Sequence, residues 1–463
     1  MVKVVTRRCL GRVKAKDDKV LYRLSPAIFF SGFEDVVYLR DVDRCTDMLL
    51  SDSTSTLLNA LRTPRTITDL ARILANKYAI KSNAKVKSDV TQFVASLVEG
   101  GVVVREGGRC VKSEGIESRI RSLSANSKRL WAVTLELTCR CNEKCIHCYL
   151  DNPKEMEKRE ELQVGDWKRV IDQCYELGCF KVLITGGEPT LHPDFLTICR
   201  YVIGKGMLLD IYSNGLSIKD SIIDELIGLK FNSFSVSLYG SSDFHDQVTQ
   251  VKGSYDRTMR TAMTLKCAGK DVYVKAVLFR GHLKDYFELK KICGRLGIKV
   301  NPSTALLPGR SGCAKKSLAL SDSELVEFAR RESVENCMAD YVGRVADGPV
   351  CMAGQNQLAI NPYGEVYPCV ALPIPVGNVR VDAVSKIWGK SKSLKEIQAV
   401  RLEDVGKTCR CCKDLHACSV CMGTVLKQNK GGIKIVNAKY ACRCVHLQSN
   451  KERNGDQNEK KVH

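Results

Sequence analysis

Strand-like and helix-like apolar patterns alternate through the middle of this chain. WAVTLEL, KVLITGG, LLDIYSN, SFSVSLYG, VYVKAVLF and IKVNPST, between residues 131 and 304, each read as a β-strand. Between the first two, Trp167, Val170, Ile171, Cys174 and Leu177 share one helical face, which Gly178 closes. Strands alternating with helices predict parallel βαβ units. The six strands predict an α/β core over residues 129–310, a partial (β/α)6 TIM barrel rather than a complete eightfold one.

The flanks follow other patterns. Ahead of the core, VLYRL, AIFF and VVYL are short strand candidates. Leu57, Leu58 and Leu61 share a helical face that Pro64 stops. Thr66 and Asp69 are spaced as a capping box, with Asp in place of Glu, before a second stripe of Ile67, Leu70, Ala71 and Leu74. A third helix carries Val90, Phe93, Val94 and Leu97 and ends at Gly100-Gly101. Residues 1–105 therefore read as a small winged-helix domain, and the charged, Ser-rich residues 106–128 as a linker. Beyond the core, residues 311–350 bridge to a cysteine-rich segment, 351–446, where Gly, Pro and short elements replace the alternation. The polar residues 447–463 are expected to be a disordered tail.

Composition narrows the class. The chain has 463 residues, 44% of them apolar, enough for two or three domains with a large core. No apolar run approaches the roughly 18 residues of a membrane helix. The segment MVKVVTRRCLGRVKAKDDKV is basic but lacks the apolar stretch of an export signal. The expected setting is the cytoplasm, with no membrane partner. A secreted disulfide protein is usually short and exported, so the 23 cysteines point to thiolate ligation of metal. A formal charge of +20 suits solubility, nucleic acid or an acidic partner. Iron–sulfur clusters, at roughly −2 each with four thiolates, would offset part of it, so charge alone is weak evidence for nucleic acid.

The densest cysteine cluster is TCRCNEKCIHCYL, at the end of the first core strand. The carboxyl ends of barrel strands are where active sites form. Cys141, Cys145 and Cys148 have the spacing C-x3-C-x2-C, and three thiolates on one loop suit three irons of a 4Fe–4S cubane with the fourth iron open. A zinc knuckle is the competing reading, but zinc sites pair C-x2-C elements with a remote second pair. His147 lies between two of the cysteines, poorly placed to ligate the same ion, and Cys139 reads as structural.

CNEKCIHC resembles the CxxxCxΦC signature of radical S-adenosylmethionine enzymes, with His147 at the aromatic position. ITGGEP, with Gly186, Gly187, Glu188 and Pro189 at the next strand end, resembles that family's GGEP element. Glycines there let backbone approach a ligand closely. The resemblance implies that a carboxylate or carbonyl meets the methionine amine. It also places Ser213 and Asn214 on the third strand, and Ser237 on the fourth, near the cofactor's ribose or carboxylate. The implied chemistry is chelation of S-adenosylmethionine by the open iron, one-electron cleavage to a 5′-deoxyadenosyl radical, and hydrogen abstraction from the substrate. The protein supplies position and shelter.

The later cysteines resemble a SPASM extension with two auxiliary 4Fe–4S clusters, three in all. That resemblance implies Cys409, Cys412, Cys418 and one of Cys442 or Cys444 for one cluster, and Cys351, Cys369 and Cys421 for the other. Two departures stand out. Only two residues separate Cys418 from Cys421, where the family usually has three, and AGQNQLAI lacks the extra cysteine that some relatives carry. Three thiolates would leave an iron open to a substrate thiolate. YRLSPAIFF, TLLNALRTPRTITDLARILANKY and VTQFVASLVEGGVVV closely resemble the PqqD-like recognition domain of peptide natural-product pathways. In that family a leader peptide adds as a strand to the sheet edge, against the third helix.

Together these resemblances imply an enzyme that cross-links a ribosomally made precursor peptide, most readily through cysteine thioethers as in sactipeptides and ranthipeptides. The electron would come from a donor such as flavodoxin or ferredoxin. Carbon–carbon cross-linking, another radical peptide modification or RNA modification are the alternatives. No residue stands out as catalytic acid or base.

Overall fold

The computed structural model describes residues 20–25, 28–33, 36–41, 46–51, 53–80, 84–99, 102–105, 129–150, 159–216, 218–307, 309, 316–332, 348–405, 412, 420–429 and 432–435. The chain divides into two compact units, Met1–Ile116 and Glu117–His463.

In the first unit β1 (Tyr22–Leu24), β2 (Ile28–Phe33), β3 (Val36–Asp41) and β4 (Thr46–Ser51) precede α1 (Ser53–Ala60), α2 (Ile67–Lys77), α3 (Ala84–Glu99) and β5 (Val103–Arg105). Strands β2, β3 and β4 form an antiparallel sheet, and β1 pairs with β5. The predicted box caps α2: the Asp69 amide donates to Thr66 Oγ1 at 3.1 Å while the Thr66 amide donates to Asp69 Oδ2 at 3.4 Å. Leu57, Leu58 and Leu61 meet Leu70, Val90, Val94 and Leu97 in one core with Val37 and Leu39 of the sheet. Strand β4 lies outside the sequence expectation. Its Met48-Leu49-Leu50 run lacks period-two alternation, and only pairing with β3, from Val36↔Ser51 to Asp41↔Thr46, makes it a strand.

The second unit holds the six expected strands as β6 (Ala132–Glu136), β7 (Lys181–Thr185), β8 (Leu208–Ser213), β9 (Ser233–Ser237), β10 (Val272–Val277) and β11 (Lys299–Ser303). Between and around them run α4 (Val164–Glu176), α5 (Phe195–Gly204), α6 (Asp220–Gly228), α7 (Ser242–Thr249), α8 (Ser254–Cys267) and α9 (Leu283–Arg295). All five neighbouring pairs from β6 to β11 are parallel. Alternation sets the two faces: Val272, Val274 and Ala276 of β10 are buried under the helices, and Tyr273, Lys275 and Val277 turn to the opposite face, the barrel interior. Trp167, Val170, Ile171 and Cys174 of α4 bury their stripe against the sheet, as their spacing predicts.

One feature departs from a barrel ending near residue 310. After α10 (Asp322–Arg331), β12 (Gln357–Ile360) pairs parallel with β6, and β13 (Glu365–Tyr367) and β14 (Gly377–Asn378) continue the same sheet antiparallel. The sheet thus has nine strands in the order β11-β10-β9-β8-β7-β6-β12-β13-β14. QLAI is too short for periodicity to show, and its β-character comes from the free edge of β6. Then α11 (Val384–Lys390), α12 (Lys392–Ala399), α13 (Met422–Val425) and the hairpin of β15 (Leu426–Asn429) and β16 (Gly432–Ile435) follow. Among the described residues no helix is long and apolar enough to cross a membrane.

Candidate metal and cofactor site

The C-terminal ends of β6 to β9 converge on one loop. The chain leaves β6 and turns through Cys141, Cys145 and Cys148 before Leu150 is buried again. The Cys148 amide donates to the Cys145 carbonyl at 3.0 Å, closing the turn. The Lys144 and Ile146 amides donate to the Thr249 and Val248 carbonyls, each at 3.0 Å, which docks the loop on the end of α7. Cys139 is buried in a pocket with Leu150 and Tyr363, in keeping with a structural role.

The GGEP element holds this loop from the other side. Gly187 N–H donates to the Thr138 carbonyl at 2.7 Å and Glu188 N–H to the Arg140 carbonyl at 2.8 Å. A Cβ on Gly186, whose φ is +146°, would sit 2.5 Å from the Thr138 oxygen, and one on Gly187 would sit 2.4 Å from the Arg140 oxygen. The close approach that needs both glycines is therefore to the cysteine loop itself, where the sequence suggested approach to a ligand.

Glu188 has a similar structural role. Its buried carboxylate accepts from Ser213 Oγ (2.8 Å), the Asn214 amide (2.7 Å), the Thr190 amide (3.1 Å) and Thr190 Oγ1 (2.6 Å). Three of these donors reach Oε1 and one reaches Oε2, so Oε1 is fully engaged. Burial pushes its pKa up, against those hydrogen bonds. Ser213 and Asn214 thus tie β8 to β7, and Asn214 also reaches the cluster loop. Its Nδ2 donates to Asn142 Oδ1 at 2.6 Å and lies 3.8 Å from Cys141 Sγ. Pro189 opens the short 3-10 turn Pro189–Leu191, which Glu188 caps through Thr190.

Beside the loop is an aromatic cage. His147 packs edge-on to Tyr239 and Phe279, with ring centres 4.8 and 5.2 Å apart, so it fills the aromatic position of the signature as a ring. Tyr239 stacks on His245 at 5.3 Å, and both ring nitrogens of that fully buried histidine lack a hydrogen-bond partner. Burial lowers His245 to about 4, so it is neutral. The Tyr239 hydroxyl lies beside Ser237 and Cys145, and burial foremost, then the neighbouring Cys145 and Glu143, push it well up. Tyr239 and Glu143 escaped the sequence reading. Glu143 carried a signal, a carboxylate inside a thiolate loop; SLYG gives none for Tyr239.

The donor set suits a metal cluster. Burial raises the Cys141 thiol to about 12, with Glu188, Glu143 and Cys148 adding to it, and raises Cys145 further, with Glu143, Cys141 and Cys148 adding to it. Such thiols stay protonated at neutral pH unless iron replaces the proton. In the C-terminal segment burial likewise raises Cys369, and Cys351 and Cys421 are the next contributors, so these three sulfurs share one neighbourhood. Cys412 is half-buried, and Cys409, Cys418, Cys442 and Cys444 lie outside the described residues. Among the described residues, no three His, Cys, Asp or Glu side chains converge closely enough to hold a single metal ion.

A parallel partial barrel with a three-thiol loop at the first strand end and a GGE turn at the second defines a radical S-adenosylmethionine domain. Residues 135–289 match the Radical SAM superfamily, and residues 351–431 match SPASM, an iron–sulfur cluster-binding domain. The first of these domains binds S-adenosylmethionine and a 4Fe–4S cluster, and the second binds further iron–sulfur clusters. The chain is 22% identical over 325 residues to an AdoMet-dependent heme synthase of Methanosarcina barkeri, covering 64% of this chain and 91% of that one. It is 26% identical over 306 residues to a PqqA peptide cyclase of Ruegeria pomeroyi, covering 61% and 79%. Its fold is similar to that of Streptococcus suis SuiB bound to precursor peptide SuiA, with a TM-score of 0.59, 17% identity and coverage of 87% and 96%.

Proposed function

We propose that this enzyme cross-links a ribosomally made precursor peptide, forming thioethers between cysteine sulfur and a carbon of an acceptor residue. The observation that carries the reading is the shared neighbourhood of Cys351, Cys369 and Cys421. Among the described residues these three sulfurs would hold an auxiliary cluster with one iron open, which a substrate thiolate would complete. Relatives named for peptide substrates support this choice.

When bound, the S-adenosylmethionine cluster supplies a 5′-deoxyadenosyl radical that takes a hydrogen atom from the acceptor carbon. The chain's own residues hold and shelter the reaction. Glu188 locks β7 to β8 through Ser213 and Asn214, fixing the strand ends that frame the cofactor. His147, Tyr239, Phe244 and Phe279 form an apolar wall that excludes water beside the loop. Facing the barrel interior, Lys275 Nζ lies 5.0 Å over the Tyr212 ring, a cation suited to acidic peptide groups. Each thioether removes two hydrogens: one leaves with the adenosyl fragment, and the thiol gives up a proton to solvent and an electron, for which an auxiliary iron–sulfur cluster would be the acceptor. A reduced flavodoxin or ferredoxin supplies the electron that starts each turnover.

In this reading the N-terminal unit is a PqqD-like recognition domain that takes the leader peptide as an added strand on the β2-β3-β4 sheet. Co-expression with a cysteine-rich candidate precursor peptide tests the whole proposal. The peptide should lose two hydrogens per bridge, and the bridged cysteines should resist alkylation. A peptide with the same mass loss and fully alkylatable cysteines would indicate carbon–carbon bonds, and an unchanged peptide would refute the reading.

A further inference from the structure

Of the charged side chains that face the barrel interior from β6 to β10, all but one are engaged within the chain. Lys181 and Asp210 pair at 2.8 Å, and Asp210 also accepts from Asn232 Nδ2 at 2.5 Å and Ser233 Oγ at 2.7 Å. Glu136 accepts from the Tyr149 hydroxyl at 2.5 Å. The exception is Lys275. Among the described residues its side chain has no ion pair and no hydrogen bond, and it meets only the face of Tyr212, 5.0 Å from Nζ. It is half-buried between Val274 and Ala276, which the helices cover. A ring face offsets only part of a cation's lost hydration, and folds seldom shelter a cation without an anion.

The strand register says where that anion would sit. Lys275 lies opposite Ser237 of β9 and Asn301 of β11. Ser237 is the last residue of β9, and two residues on Tyr239 stands beside Cys145 of the cysteine loop. The ammonium extends across β9 to the Tyr212 ring on β8, so it stands inside the barrel at the end where the chemistry occurs. Asn301 is exposed, which leaves the β11 edge open to an entering chain.

We propose that Lys275 binds a carboxylate of the substrate peptide, the side chain of an Asp or Glu at or beside the residue that gives up its hydrogen. The enzyme then selects its acceptor by a nearby negative charge. This rests on the peptide substrate of the proposed function and adds to it the acidic character of the reacting segment.

The test is a double-mutant cycle between enzyme and peptide. The enzyme is full-length and anaerobically reconstituted, as wild type, Lys275→Met and Lys275→Arg, with iron contents matched. The probe is the cysteine-rich candidate precursor, with each Asp and Glu of its modified segment changed singly to Asn or Gln. Mass spectrometry reads kcat/KM for cross-linking, and the dissociation constant of S-adenosylmethionine is measured without peptide. Lys275→Met should lower kcat/KM about 10- to 100-fold, the scale of a hydrogen bond to a charged group, and Lys275→Arg should recover most of it. One acidic-to-amide change should cost the same factor with wild type and nothing further with Lys275→Met. Affinity for S-adenosylmethionine should not change. Undiminished kcat/KM in Lys275→Met would overturn the proposal, as would losses that multiply independently at every acidic position. So would weakened S-adenosylmethionine binding, which would give Lys275 to the cofactor's carboxylate. If Lys275→Met does not load its clusters, Lys275→Gln carries the same cycle. A peptide that wild type leaves unmodified refutes the peptide reading and this inference with it. A peptide that is cross-linked with no acidic position coupled to Lys275 overturns this inference alone.

Discussion

Gly187→Ala puts the loop–turn contact to a quantitative test. The new Cβ would lie 2.4 Å from the Arg140 oxygen, 2.7 Å from the Cys139 oxygen and 2.9 Å from the Arg140 carbonyl carbon. All three are backbone atoms, so no side chain can swing aside. The cysteine loop must move by several tenths of an ångström or more. That motion strains the bonds from Gly187 to Thr138 and from Glu188 to Arg140. Overpacking contributes about 1–3 kcal/mol, and each weakened backbone hydrogen bond up to about 1 kcal/mol. The expected loss is about 2–5 kcal/mol, with a matching fall in iron bound by the first cluster. Gly165→Ala is the control, since nothing lies within 4 Å of its Cβ in α4; it should be neutral or stabilise by up to about 1 kcal/mol. Anaerobic urea unfolding and iron–sulfide analysis read both quantities. A Gly187→Ala protein as stable as Gly165→Ala, with full iron content, would refute the reasoning.

Other outcomes follow from the same geometry. Ser213→Ala removes one of the three donors to buried Glu188 Oε1 and should destabilise by about 0.5–1.5 kcal/mol in urea unfolding, the net worth of one hydrogen bond. Asp246 accepts from the Gly253 and Tyr255 amides and from Ser254 Oγ, and these bonds outweigh burial to hold its pKa below the usual carboxylate range. Its contribution is complete above the ordinary carboxylate pKa and is lost as pH falls through the depressed folded value. Asp246→Asn should therefore be less stable than wild type at pH 7, with the gap closing towards pH 3 in thermal melts. Cys369→Ala should lower iron content by about one cluster and leave 5′-deoxyadenosine formation measurable by chromatography, because Cys141, Cys145 and Cys148 are untouched.

Much of this fold was legible because the signals are local. The six core strands, the α4 stripe and the Thr66–Asp69 box each follow from periodicity or spacing within a few residues. The missed elements depend on distant partners. Strand β4 exists through β3, and β12 through β6, neither announced by the pattern in its own short segment. The site divides in the same way. The loop cysteines and the GGEP turn could be located from spacing, but spacing is silent on what the glycines touch. It is equally silent on which carboxylate is tied to a neighbouring strand. Those depend on strand ends brought side by side, where Glu188 meets Ser213 and Asn214, and where Glu143 is left with a buried oxygen.

The central claim is that Cys141, Cys145 and Cys148 build a cluster able to cleave a sulfonium nucleotide. Purified anaerobically, reduced with dithionite and given S-adenosylmethionine, the wild-type protein should release 5′-deoxyadenosine, and Cys145→Ala should release none while retaining the iron of its auxiliary clusters. Equal product from the two proteins, or zinc in place of iron and sulfide in the wild type, would contradict the account.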